Sequence, residues 1–263
     1  MAGNVKLISG GSSGTTTIQT NESTDRTINL PDASATLVGK DTADALSNKT
    51  IILAAGTNSV APLVLTSGTN LTTAAAGAIE FDGTVFYSTP VASARGVSPS
   101  KMFAMVAAGD FALATTTGVQ AAFAASNDVW TLQAATTYMF EGLYLITHST
   151  TTCTAAMAFA LGGGASVTAI NYAVWASILA ANTTSTASNF TWVSQVASTV
   201  VSATSTVGWA ISFLGMIQMN VGGTVTPQIN WSANTTAPVM KANSFISFTP
   251  LGTNTVTAVG NVG

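Results

Sequence analysis

The second half of the chain is a series of short apolar runs in which large side chains recur at every second position. The runs cover residues 129–132, 137–146, 155–161, 170–175, 190–193, 207–214, 216–220, 224–231 and 244–249, with Gly- or Thr-rich segments between them. A period of two residues is typical of β-strands, because successive side chains point to opposite faces of a sheet. Residues 128–263 are therefore predicted to form an antiparallel β-sandwich of the jelly-roll type.

Residues 1–60 are rich in Thr, Ser, Asn and Gly and contain only short β-like pieces. These pieces lie at 15–19, 26–30 and 35–39, and residues 41–50 could form about two helical turns behind a capping Asp41 or Thr42. Strands this short and polar cannot bury a core of their own. We expect an extended attachment arm that pairs with the rest of the chain or with a neighbouring subunit.

Residues 61–127 are predicted to be a β-hairpin and linker region. Asp82-Gly83 stands between the apolar runs 78–81 and 85–87, which is typical of a hairpin with a tight type I′ turn. Residues 101–125 are rich in Ala, Met and Phe. A helix broken at Gly109 and Gly118 and a pair of short strands, at 111–114 and 119–123, are both compatible with this composition.

Charge is scarce, at 6% of the residues, and it is unevenly placed. From residue 129 onward the only charged side chains are Glu141 and Lys241. The surface of this half is then either a neutral one made of Thr, Ser, Asn and Gln or one that faces another protein chain, and the two interpretations are compatible. The net charge of −3 and the lack of Lys and Arg clusters argue against a nucleic-acid partner.

Membrane insertion and disulfide formation are not expected either. No run of eighteen apolar residues predicts a transmembrane helix, and the apolar run 5–8 is too short for a signal peptide. Cys153 is the single cysteine, which excludes an internal disulfide. Its Thr- and Ala-rich surroundings predict a small buried hydrophobic residue.

Catalytic chemistry has little support in the sequence. His148 is the single histidine, and Glu141, the nearest acidic residue, lies seven positions before it, which places the two side chains on opposite strand faces or far apart. We expect a loop or subunit-contact histidine. Gly162-Gly163-Gly164 is a loop without the helix and Lys that follow in a phosphate-binding loop.

Two acidic pairs are candidate cation sites. Asp41 lies near Asp44, and Glu80 and Asp82 share one strand face, where they could bind calcium or an arginine of a sister chain. Solvated or turn roles are the more ordinary interpretation of such pairs. No catalytic, cofactor-binding or metal-binding residue is predicted, no cofactor is expected, and the chain is predicted not to be an enzyme.

All the tryptophans lie in the second half of the chain. They are Trp130, Trp175, Trp192, Trp209 and Trp231. Exposed tryptophans could stack on sugar rings, but tryptophan in an alternating strand is most often core. Each of them is predicted to be buried.

Three stretches resemble tailed-bacteriophage virion proteins. Residues 8–19, 27–31 and 35–51 look like the Thr-rich N-terminal segments of fibre proteins, and residues 65–73 and 76–83, with Phe86, Tyr87 and Arg95, are similar to a second segment of the same proteins. Residues 130–252 look like the tumour-necrosis-factor-like jelly roll found on phage fibres and capsid decoration proteins. The resemblance implies a homotrimer with intertwined N-terminal arms and a compact C-terminal head.

The expected function is therefore structural. A trimeric capsid decoration protein, of the cement or head-fibre kind, would use its N-terminal arm to bind the major capsid protein or other virion proteins by strand addition. It would be located in the virion after assembly in the host cytoplasm. The alternative is a short tail fibre or fibre tip that binds a host-surface glycan.

Overall fold

The computed structural model describes residues 50–91, 93–106, 109–125, 127–149, 151–179 and 188–254. The chain divides into two units, Met1–Thr57 and Asn58–Gly263, and all strands of the described residues belong to the second unit. These residues are all-β, which confirms the predicted class. None of the described segments forms an apolar helix of membrane-spanning length.

Several predicted elements lie outside the described residues. They are the short strands at 15–19, 26–30 and 35–39 and, apart from Thr50, the helical turns at 41–50. The extended arm over residues 1–60 and the division into segments 1–60, 61–127 and 128–263 stay predictions.

The described residues form sixteen strands. In chain order these are β1 (Ile79–Phe81), β2 (Phe86–Ser88), β3 (Gly96–Ser98), β4 (Met102–Met105), β5 (Phe111–Ala112), β6 (Gln120–Ala121), β7 (Trp130–Leu132), β8 (Thr136–Ser149), β9 (Ala155–Gly162), β10 (Ser166–Ile178), β11 (Ser188–Val193), β12 (Thr199–Val200), β13 (Gly208–Val221), β14 (Gly223–Trp231), β15 (Thr236–Met240) and β16 (Phe245–Thr253).

The strands build three antiparallel sheets. A large sheet of eight strands has the order β11-β10-β13-β8, after which β8 pairs with both β15 and β16, β15 pairs with β5, and β16 pairs with β4. A small sheet of five strands has the order β12-β9-β14, and β14 also pairs with β6 and β7. The third sheet is the meander β1-β2-β3.

The large and small sheets pack against each other across one hydrophobic core. Phe140 of β8 meets Phe159 of β9 edge to face, with ring centroids 5.2 Å apart. Trp209 of β13 stacks on Trp231 of β14 with centroids 6.0 Å apart. Because these contacts join strands of different sheets, one face of each sheet is buried and the other is turned outward.

The segment 101–125, for which helix and strand were both open, forms strands. β4 pairs with β16, β5 with β15 and β6 with β14, so the segment adds to both packed sheets. Its local composition suits either structure, and non-local pairing decides between them.

Two runs predicted as separate strands, 207–214 and 216–220, are one continuous strand, β13. Gly215 does not break it. A Cβ at this position would lie 2.2 Å from Tyr172 Cβ and 2.5 Å from the Asn171 carbonyl oxygen. The glycine is therefore a packing requirement of the sheet and not a turn signal.

The hairpin predicted around Asp82-Gly83 is confirmed, but its turn differs. Beyond the Phe81–Phe86 pair, the Asp82 N–H donates to the Val85 carbonyl oxygen at 3.3 Å, so the two central residues of the turn are Gly83 and Thr84. Thr84 does not share the positive φ of Gly83, so the turn is not the predicted type I′. Asp82 Oδ1 accepts hydrogen bonds of 2.8 Å from the backbone N–H groups of both Thr84 and Val85. This side-chain cap stabilises the turn, and Gly83 takes the predicted positive φ, +98°.

Candidate functional site

His148 is buried at the end of β8, which corrects the expected loop or subunit-contact position. Its ring stacks on Trp209 at a centroid distance of 4.8 Å, and its Nε2 lies 3.9 Å from Sγ of Cys153. Burial lowers the pKa of His148 and raises the pKa of Cys153, so both groups favour their neutral forms. Cys153 is buried, as predicted. Glu141 lies on the opposite face of β8, also as predicted, and does not pair with His148.

Glu80 and Asp82 have separate structural roles. Glu80 binds Arg95 of the same chain, with 2.8 Å between Nε and Oε2, and its Oε1 accepts the backbone N–H of Leu71 at 2.6 Å. These contacts lower the pKa of Glu80, and the hydrogen bond from Leu71 makes the largest contribution. Asp82 caps the hairpin loop and accepts a 3.0 Å hydrogen bond from the Tyr87 hydroxyl, which is one of the causes, after burial, that raise the pKa of Tyr87 to about 12.

Glu80 and Asp82 therefore bind separate partners within the chain and do not converge on a common cation site. No cluster of three or more His, Cys, Asp or Glu side chains with metal-binding spacing occurs among the described residues. Asp41 and Asp44 lie outside that part of the chain. The other glycine motif, Gly162-Gly163-Gly164, forms the turn from β9 to β10, in which Gly163 and Gly164 take φ of +64° and +80°.

The tryptophans divide into two groups, which corrects the expectation that all are core. Trp130, Trp209 and Trp231 are buried, whereas Trp175 is 47% exposed and Trp192 is 63% exposed. Trp175 lies on β10 and Trp192 on the neighbouring β11. Both point to the outer face of the large sheet.

The strand register places large apolar side chains in rows across this outer face. Directly paired residues of antiparallel strands lie on the same face. The first row runs across six strands from β11 to β4 as Phe190, Trp175, Ser212, Leu143, Phe245 and Met105. The second row runs as Trp192, Ala173, Leu214, Glu141, Ser247 and Phe103. Each row has large apolar side chains at its ends and a small or polar residue near its middle.

Two clusters result, one at each end of the rows. The β11 cluster comprises Trp175, Phe190 and Trp192, in which the rings of Trp175 and Phe190 are 5.4 Å apart. The β4 cluster comprises Phe103, Met105 and Phe245, in which the two phenyl rings stack at 5.4 Å. At about 4.8 Å per strand, β11 and β4 are five spacings or about 24 Å apart, whereas the inner members of the clusters, Trp175 on β10 and Phe245 on β16, are three spacings or about 14 Å apart.

A groove of about 450 Å³ lies beside the β11 cluster. Trp192, Leu214 and Met216 line it together with Met139, and Ala173 is among the small residues that leave the space open. The amides of Asn171 and Gln218 also border the groove. The lining is mostly apolar, which suits a hydrophobic side chain of a partner better than a polar ligand.

The outer face carries almost no charge. Glu141 is the one charged residue in the rows, and Lys101, which precedes β4, forms an ion pair with it. Exposed apolar side chains without charge are unfavourable in water, and protein interfaces are enriched in aromatic residues and Met and poor in charge at their centres. This face is therefore the candidate functional surface.

The sequence does contain a sign of this exposed apolar face. The prediction that every tryptophan is buried overlooked it. Within β10, Ile170, Tyr172 and Val174 are in phase, but Trp175 follows Val174 directly and belongs to the other face. Leu214 follows Phe213 in the same way. Adjacent large apolar residues in one strand indicate that both faces of the sheet are apolar.

No family model, no curated protein and no solved structure matches this chain.

Proposed function

We propose that the chain is a structural subunit of a tailed-bacteriophage particle, specifically a trimeric capsid decoration protein of the cement or head-fibre kind. The observation that carries the proposal is the outer face of the large sheet. Its two aromatic clusters and its apolar groove surround a single carboxylate that is already paired within the chain. Such a face favours association with other protein surfaces, as expected of an assembly subunit.

The order of the strands supports a jelly-roll connectivity. The first strand of the large sheet, β4, lies beside the last, β16, and the order continues through β8 to β13. The small sheet contains β6, β7, β9, β12 and β14, so the chain crosses between the sheets repeatedly from β7 to β15, with β10 and β11 as the one consecutive pair in that stretch that stays in the large sheet. Alternation of this kind is typical of jelly rolls.

The attachment arm supplies the second part of the proposal. Residues 1–60 are Thr-rich and resemble phage N-terminal segments, and an extended segment can add a strand to a neighbouring sheet. The proposed partners are the sister chains and the major capsid protein. The proposed location is the virion, after assembly in the host cytoplasm.

Gold-labelled antibody against the chain, viewed on intact particles by electron microscopy, tests the location. We expect label over the head. A second assay adds the purified chain to heads that lack it and measures its co-sedimentation with them, which we expect to saturate at a fixed ratio to the capsid protein. Label confined to the tail, or none on the particle, would contradict the capsid proposal.

A tail-fibre role is the second candidate, and the exposed tryptophans favour it. Trp192 stands beside the amide of Asn171 at the groove, and an exposed aromatic ring beside amides is an arrangement that binds sugar rings. In that case the purified chain should adsorb to host cells and compete with infection, and Trp192→Ala should abolish the competition. A capsid decoration protein should do neither.

A further inference from the structure

We propose that the groove beside the β11 cluster is the docking site for the C-terminal segment of the same chain, residues 255–263. Two valines of this segment, Val256 and Val259, pack beside Leu214 and Trp192 and cover the groove. The contact lies within one chain, so the inference does not depend on the proposed location in a phage particle.

The last described residue lies close to this groove. β16 pairs with β8 as far as Thr253, and two hydrogen bonds hold the next residue, Asn254. Its N–H donates to the Ala135 carbonyl oxygen at 2.9 Å, and its Nδ2 donates to the Met219 carbonyl oxygen at 2.8 Å. Asn254 therefore brings the chain from β16 past the start of β8 to β13, and Gln218, which borders the groove, is the neighbour of Met219.

The length of the segment matches the length of the groove. Along β13, Leu214 lies five residues from Met219, or about 17 Å at the rise of an antiparallel strand. Val259 lies five residues from Asn254, and an extended chain of that length spans up to about 18 Å. Val259 can therefore reach the far end of the groove at Leu214, while Val256 covers the near end.

The segment also has the chemistry that the groove accepts. Residues 255–263 contain three valines and no charged side chain. None of the described residues that line the groove is charged either, and Trp192, Leu214 and Met216 are 63%, 46% and 49% exposed. Valine side chains gain free energy when they cover such apolar surface, and no charge loses its hydration in the contact.

The docked segment is a reversible cover and not a further strand of the core. Ordering the segment costs conformational entropy, which opposes the burial of only two valines. The docked form therefore exchanges with an open form, in which Trp192 and Leu214 are available to another protein surface. A partner that inserts an apolar side chain into the groove displaces the segment, because it binds only the open form.

Acrylamide quenching of tryptophan fluorescence tests whether the groove is covered, because Trp192 is one of two exposed indoles among the described tryptophans. In the full chain, Val256→Asp with Val259→Asp should raise the quenching constant, since a carboxylate resists burial. Thr255→Asp with Thr257→Asp is the matched control, because it adds the same charge and keeps both valines, and it should leave quenching unchanged. With Trp192→Phe added, the rise should disappear.

Disulfide trapping tests which chain supplies the segment. Leu214→Cys is combined with Val259→Cys in the full chain, with Cys153→Ala to remove the natural thiol, and mild oxidation follows. We expect a disulfide within one chain, at a yield that does not change with protein concentration. Thr226→Cys with Val259→Cys is the control on the small sheet and should stay reduced. Met216→Cys replaces Leu214→Cys should that variant fail to fold.

Three results would overturn the inference. Equal quenching of the natural chain and of the double valine variant would show that the groove is open. A disulfide that joins two chains would assign the groove to another copy. Equally rapid trapping at Thr226→Cys would show that the segment has no preferred site.

Discussion

The imidazole of His148 and the indole of Trp209 stack with their centroids 4.8 Å apart and their planes inclined by 26°. Trp209 stacks in turn on Trp231 of the small sheet, with an interplanar angle of 14°. The three rings form a column that joins the two sheets at the end of β8. A positive charge on His148 would place an ion in this buried column, where Nδ1 has no hydrogen-bond partner.

The free energy of unfolding should therefore decrease as the pH falls below 6.5, the ordinary pKa of a histidine. Burial lowers the pKa of His148 in the folded state, so the unfolded chain binds its proton first as the pH drops below the ordinary value of 6.5. The stabilisation is complete above that value and is lost as the pH falls toward the folded-state pKa. Urea unfolding at about pH 7.5 and about pH 5.5 measures the loss.

His148→Phe is the control for this effect, because it keeps a planar ring and removes the titration. The chain has no other histidine, so the variant should show little change in stability between the same two pH values. An equal loss in the variant and in the natural chain would assign the pH dependence to other groups.

Gly142→Ala should strongly destabilise the fold. A Cβ on Gly142 would lie 2.3 Å from Phe213 Cζ and 2.6 Å from the Phe245 carbonyl oxygen, so both a packed ring and a backbone strand would have to move. We expect a loss of about 3 kcal/mol in the free energy of unfolding. Gly68→Ala is the control, because nothing lies within 4 Å of its Cβ position, and it should cost less than about 0.5 kcal/mol.

Glu80→Gln should loosen the meander β1-β2-β3. Glu80 accepts hydrogen bonds from Arg95 and from the Leu71 N–H, and Arg95 Nη2 also donates to the Leu71 carbonyl oxygen at 2.5 Å. The amide side chain has only one acceptor oxygen and no charge, so it cannot replace all of these contacts. Hydrogen exchange of the β1 and β2 amides should accelerate, while exchange in β8 and β13 stays unchanged.

The same ion pair has a pH signature of its own. Because the contacts of Glu80 lower its folded-state pKa, its stabilisation is present above the ordinary value of 4.5 and is lost as the pH falls below it. In the natural chain, the β1 amides should lose protection between about pH 4.5 and pH 3, when their exchange rates are compared with the intrinsic rates of unstructured amides at the same pH. In Glu80→Gln this loss of protection should be missing.

Ser244→Ala should destabilise the junction of β8 and β16. Ser244 is fully buried, and its Oγ accepts a 3.0 Å hydrogen bond from the backbone N–H of Leu145. The substitution leaves that N–H without its partner, which we expect to cost about 2 kcal/mol. Ser212→Ala, at an exposed position of β13, is the matched control and should change the free energy of unfolding by less than about 0.5 kcal/mol.

The alternation of side chains was sufficient to locate most strands of the second half. In β8, Tyr138, Phe140, Tyr144 and Ile146 share one phase and all are buried, because a strand presents every second side chain to the same face. The Asp82-Gly83 hairpin was predictable for an equally local reason, the positive φ that glycine tolerates.

Local signals failed where the deciding neighbour is distant in the chain. Gly215 looks like a strand end in the sequence, and only the approach of Tyr172 shows that it lies inside β13. The local sequence of residues 101–125 is compatible with both helix and strand. Pairing of β4 with β16, which lies more than a hundred residues further along the chain, selects the strand. His148 was expected at the surface, and the stack on Trp209 of another strand is what buries it.

The alternation of apolar side chains was enough to predict the β-strands after residue 128 and which residues of each strand share a face, because that periodicity is a property of the extended backbone. The sequence also determined the scarcity of charge after residue 128. Which face of each strand is covered depends on how the sheets pair and pack, and the packing of distant strands is what sets it. By covering one face of the large sheet and aligning β11 through β4, it left Trp192 and Phe103 at opposite ends of one exposed apolar surface.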